Sequence, residues 1–108
     1  MAFDMTIVDS GRQDAIEDDE EFFFRLIEVH DLNCPILDGI WERFYEGPRI
    51  YADHSRTILA ELDRIDGFLS ESKTRAVDIE IWKGLHTRLR DFFGEASSIG
   101  SAIKCMSD

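Results

Sequence analysis

The apolar positions change period along the chain. Phe3, Met5 and Ile7 alternate with polar neighbours, and the pattern stops at Ser10-Gly11. Alternation of this kind reads as a short strand or an extended arm. No partner strand is visible in the sequence, so residues 1–12 read as an extended, flexible N-terminal arm. Ser10 and Gln13 match an S-x-x-Q capping box, which predicts a helix from about residue 13 to 31. Ile16, Phe23, Leu26, Ile27 and His30 would share one face of it, while Phe24 and Leu32 point elsewhere. A strand over 22–29 competes with this reading.

The stretch "NCPILDGIWERFYEGP" has a clearer period. At about 100° per residue, Ile36, Leu37, Ile40, Trp41, Phe44 and Tyr45 occupy one half of a helical wheel. Asn33 is placed to cap, Pro35 suits the first turn, and Gly47-Pro48 stops the helix. A third helix begins at Asp53 or Ser55, shows an apolar stripe of Ile58, Leu59, Leu62 and Ile65, and ends at Gly67. Val77, Ile81, Trp82, Leu85, Leu89, Phe92, Phe93, Ala96, Ile99 and Ile103 stay on one side of a fourth. It spans about 74–104, with break points at Gly94 or Gly100. These elements predict an all-α fold, three to four helices in a small bundle or irregular array, forming one domain over 1–108.

Composition permits that core, since 44% of residues are hydrophobic and 11% aromatic. Charge changes the picture more. The net charge is −11. Residues 1–50 hold thirteen acids against four bases, a net −9, and the remainder is close to balanced. Such a field repels nucleic acid and anionic membranes and favours a basic partner. No window approaches the roughly 20 apolar residues of a membrane helix, and "MAFDMTIVDS" has no basic start before an apolar run. The expectation is a cytoplasmic protein.

Catalytic and metal chemistry find little support. Cys34 and Cys105 form no C-x-x-C pair. His30 and Cys34 stand four apart, but Pro35 places a helix end between them and no second pair completes a zinc site. The di-iron pattern E-x-x-H, the P-loop, G-x-S-x-G and H-E-x-x-H are all absent. The expectation is no enzyme, no cofactor and no metal. A pocket using His86 with Asp78, or His54 with Asp53, is the enzymatic alternative.

The binding chemistry concentrates in "EDDEEFFFRL". Asp14, Glu17, Asp18, Asp19, Glu20 and Glu21 put six carboxylates into eight residues, and three phenylalanines follow. On a helix Phe22 and Phe24 cannot both follow Phe23 inward, so at least one belongs at the rim beside the negative field. Tyr45 and Tyr51, with Asp53, are the other expected contacts, because tyrosine is enriched at interfaces. Trp41, Phe44 and Trp82 read as core.

The stretch "GPRIYADHSRTILAEL" sets Tyr51 beside Asp53 ahead of an amphipathic helix. In class the chain resembles bacterial toxin-immunity proteins such as the nuclease-colicin inhibitors, small acidic helical proteins that neutralise basic nuclease domains. The paired tyrosines and following proline of those inhibitors are missing here, and the long C-terminal helix has no counterpart. The resemblance implies an immunity or antitoxin-like inhibitor of a basic toxin or secreted effector. A small acidic secretion chaperone is the alternative, a homodimer seamed along the last helix.

Overall fold

A computed structural model describes residues 2–71 and 76–107. The chain runs β1 (Phe3–Ile7), β2 (Gln13–Ile16), a 3-10 turn (Asp18–Glu20), α1 (Phe22–Val29), α2 (Pro35–Glu42), a second 3-10 turn (Phe44–Glu46), β3 (Arg49–Ile50), α3 (Ala52–Glu71), α4 (Ala76–Ile99) and β4 (Ile103–Ser107). The strands form one antiparallel sheet in the order β2-β1-β4-β3. The fold is therefore mixed α/β, and the all-α expectation is corrected.

The arm over residues 1–12 is the first casualty. Phe3, Met5 and Ile7 are buried, and β1 lies between β2 and β4. Its missing partner sits at the far end of the sequence, with Phe3 opposite Ser107 and Ile7 opposite Ile103. Ser10 caps no helix. It belongs to the β1–β2 turn, where its hydroxyl accepts the Arg12 N–H at 3.3 Å and Gly11 takes a φ of 74°. Residues 13–16 are strand, so the helix expected from 13 shortens to α1.

The last helix also ends early. Gly100 adopts a φ of 69°, and the Ser101 N–H reaches back to the Ala96 carbonyl at 2.9 Å. That closure is a Schellman-type stop. Ile103 and Cys105 then point inward with a period of two, Lys104 and Met106 outward. Ile103 fitted a helical wheel only because it also faces the core. The predicted start at residue 74 and the side chain of Val77 lie outside the described residues. Gly67 does not end α3, which continues to Glu71, and Asp53 and Ser55 lie within its first turns.

The inward face of the sheet is sealed by helices. Rings run in contact from Phe3 to Phe44 (4.7 Å), Phe44 to Phe24 (6.4 Å), Phe24 to Phe23 (4.2 Å) and Phe23 to Trp82 (5.6 Å), linking β1 to α4 through α1. Trp82, Leu85, Leu89, Phe92, Phe93 and Ala96 of α4 are buried in this same core. From Trp82 to Ala96 the apolar face expected as a dimer seam is thus covered by the chain itself, while Ile99 beyond it is 48% exposed.

One buried charge places α2. Glu61 of α3 is 1% exposed, and its carboxylate accepts the N–H groups of Ile36 (3.1 Å) and Leu37 (2.9 Å). Those are orphan donors of the first turn of α2, where Pro35 has no N–H to offer. Asn33 was the expected cap; instead its carbonyl accepts from Arg64. Burial raises the Glu61 carboxyl above its ordinary range, against the two N–H bonds that lower it. Truncation by Glu61→Ala removes the partner of the buried Leu37 N–H and of the partly buried Ile36 N–H and is expected to cost about 2–4 kcal/mol. Glu61→Gln keeps one acceptor and should cost less than Ala. Urea unfolding of the two variants measures the difference, and equal losses would refute the cap.

Candidate functional site

Arginines sort the acidic segment into inward and outward groups. In the register of β2 with β1, Asp14 lies opposite Met5 on the core face. It pairs there with Arg88 of α4 at 3.2 Å. Glu20 is 8% exposed and meets the same guanidinium at 2.7 Å. Arg88 also donates to the Ala15 carbonyl at 2.7 Å. The other Glu20 oxygen accepts the Glu17 N–H at 3.0 Å. Asp14 and Glu20, both expected as partner contacts, are therefore structural.

The 3-10 turn sets the rest. In this geometry residues three apart eclipse one another. Glu17 and Glu20 fall on one line, joined as above, and Asp18 and Glu21 fall on the next. Asp18, Glu21, Phe22, Arg25 and Trp41 together line a cleft of about 250 Å³. Asp19 is exposed on the same turn. Burial, then the neighbouring Asp18, raises the Glu21 carboxyl above its ordinary value. Glu21 has no ion-pair partner among the described residues.

Of the two phenylalanines in question, Phe22 is half-buried at the rim, and Phe24 is 1% exposed. Phe24 stacks on Trp41 at 5.0 Å, so it supports the cleft from below and is corrected as a surface contact. Trp41, expected in the core, is only partly buried and forms a wall of the cleft. It continues through Phe44 (5.4 Å) to Tyr45 (5.3 Å further), which is 69% exposed.

Tyr51 and Asp53 belong to different surroundings. Both are exposed, and Tyr51 packs on His54 at 6.0 Å. His54 lines a separate cleft of about 150 Å³ with Arg43 and Arg49, which is basic in character. A further cleft of about 600 Å³ opens where α1 turns into α2, and Glu28, Asp31 and Asp38 contribute to its lining. Sequence reasoning missed Trp41, Arg25 and Glu28 as site residues. The signal was present for two of them, since Arg25 and Glu28 follow Glu21 at i+4 and i+7.

The enzymatic alternative gains nothing from these contacts. His86 faces Asp63 at 3.3 Å, and His30 packs on Phe68 at 4.7 Å. Burial pushes the thiol of Cys34 up to about 11 and that of Cys105 up to about 12, so neither is an activated nucleophile at neutral pH. No group of three His, Cys, Asp or Glu among the described residues is arranged to hold a metal. No helix among them is long and apolar enough to cross a membrane.

The site carries a cost that is measurable. The folded-state pKa of Glu21 is raised above its unfolded value, so this group favours the fold at low pH and the advantage is lost as pH rises through the raised value. Glu21→Gln removes that loss. The variant should be slightly more stable than the parent at neutral pH, with the gain vanishing at acid pH. Urea midpoints of both proteins at the two pH values test it, and a destabilised variant at neutral pH would overturn the assignment. Comparison with protein-family models, curated proteins and solved structures finds no match to this chain.

Proposed function

We propose that the chain is a non-enzymatic protein-binding module that neutralises or shields a basic partner. Its most concrete form is a bacterial immunity or antitoxin-like inhibitor acting in the cytoplasm. The observation that carries this reading is the cleft of Asp18, Glu21, Phe22 and Trp41. It sets carboxylates beside aromatic faces, with exposed Asp19 on the same turn and Tyr45 continuing the aromatic row. Aromatic anchors supply affinity at interfaces, and acidic surroundings steer a basic partner and fix its orientation. Cation–π contact with Trp41 adds to the attraction for lysine or arginine.

The mechanism has two stages. The −9 half of the chain draws the partner in over a range set by the Debye length. The aromatic cleft then holds it. The dimeric chaperone alternative is weakened by the burial of the α4 apolar face from Trp82 to Ala96.

The test is a binding measurement against the product of the neighbouring reading frame, at low and high ionic strength. Asp18→Lys with Glu21→Lys should lower the association rate by roughly tenfold or more at low salt. The matched control Glu71→Lys with Glu80→Lys, at exposed positions on α3 and α4, makes the same charge change away from the cleft. It should leave most of the rate intact. Salt-independent binding, or equal loss in both double variants, counts against the reading.

A further inference from the structure

The exposed face of α1 carries more information than its sign. Glu21, Arg25 and Glu28 follow one another at i, i+4 and i+7, so they form one stripe along the helix. Arg25 and Glu28 are exposed and Glu21 is half-buried. None of the three has an ion pair among the described residues. Beside this stripe runs a second row with the same spacing, Phe22 and Val29, the latter 67% exposed. The face thus repeats after seven residues, an acid next to an apolar side chain at each end and a base between. The two acids line different clefts, Glu21 the one closed by Trp41 and Glu28 the one at the α1–α2 turn.

Spacing selects the shape of the occupant. Seven residues of helix rise about 10.5 Å. A partner helix presents two side chains on one face at that separation when they are seven apart. An extended strand covers the same length in about three residues. Three is an odd number, so the pleat sends those two side chains to opposite faces. Same-face side chains of a strand fall about 7 or 13 Å apart, so a helix matches the spacing of the two acids better than a strand does.

Resting on the proposed capture of a basic protein, we infer that the segment docking on α1 is an amphipathic helix with two basic residues seven apart and an acidic residue between them. Its bases meet Glu21 and Glu28, its acid meets Arg25, and apolar side chains beside the bases cover Phe22 and Val29. The raised proton affinity of Glu21 fits a carboxylate that gains from an incoming cation. A second copy of this chain is a poorer occupant. An antiparallel pair of α1 helices that opposes Glu21 to Glu28 also brings the two Arg25 side chains within one residue's rise, about 1.5 Å, of the same level.

Three alanine-based helical peptides of equal length decide the matter, each with apolar residues beside the bases. The first has Lys, Glu and Lys at i, i+4 and i+7. The second is its isomer with the glutamate moved to the opposite face. The third has lysine at all three positions. Titration is followed by tryptophan fluorescence, since Trp41 lines the cleft. The first peptide should bind the parent protein roughly fivefold more tightly than its isomer. In Arg25→Glu the order should invert, with the third peptide preferred over the first. Circular dichroism of the exposed-site variant confirms its fold. Equal binding of the first two peptides, with all three lost at high salt, overturns the helix register and leaves the basic-partner reading standing. Absence of binding by all three at low salt overturns both. A concentration-dependent dimer abolished by Arg25→Glu assigns the face to self-association and overturns the inference.

Discussion

The antiparallel pairing of β1 with β4 is the constraint on which the rest depends. Phe3 meets Ser107 and Ile7 meets Ile103, so nearly the whole sequence lies between partners. Neither strand is stable alone, and two strands are marginal even when paired. Joined, they form the centre of a sheet whose inward side chains give α1 and α4 a surface to cover. β2 and β3 then add at the edges with four and two residues. Contacts this distant make loop closure expensive before any burial is gained, so folding should be slow for a chain of this size.

Charge is placed with the same economy of position. A net −9 in the first half would oppose compaction if every carboxylate were left in one field. Arg88 draws Asp14 and Glu20 toward α4, and Arg12 crosses the other way to Asp91 (2.6 Å) and Glu95 (3.2 Å). These pairs tie the β1–β2 hairpin to the last helix from both sides. Glu61 performs the equivalent task for α2. Partly exposed pairs of this kind add little energy singly. Their role is to fix which acids face inward, and hence which remain for the surface.

The sequence was legible where one period dominated. The amphipathic stretches of α3, α4 and most of α2 are helices, and Phe44 and Trp82 are core as their spacing implied. It was illegible where the partner was distant. The alternation of Phe3, Met5 and Ile7 is plain, but nothing local reveals that residues 103–107 complete it. Ile103 satisfies both a helical and a strand pattern, and only the positive φ at Gly100 separates them. The Ser10–Gln13 box failed because a serine that can cap a helix can also close a turn. At the site, the acidic run and Phe22 were visible, whereas Trp41 was not. Its helical spacing placed it in the core, and the stacking of Phe24 beneath it holds it at the rim.

The junction of five acids with three phenylalanines follows from these constraints together. Glu20 packs against α4, because its carboxylate meets the Arg88 guanidinium there at 2.7 Å. The other Glu20 oxygen holds the Glu17 N–H at the start of the 3-10 turn, and the turn leaves Asp18 and Glu21 eclipsed on the next line. Phe23 and Phe24 must then enter the core at the start of α1, which brings Trp41 across the Phe24 ring. The result is an acid pair against an aromatic wall, produced by the same contacts that fold the segment. Moving the acids apart would break the turn, and burying Trp41 fully would displace Phe24. The cleft and the fold therefore cannot be varied independently, and a substitution that leaves the turn intact but removes the Glu21 charge is the one that separates them.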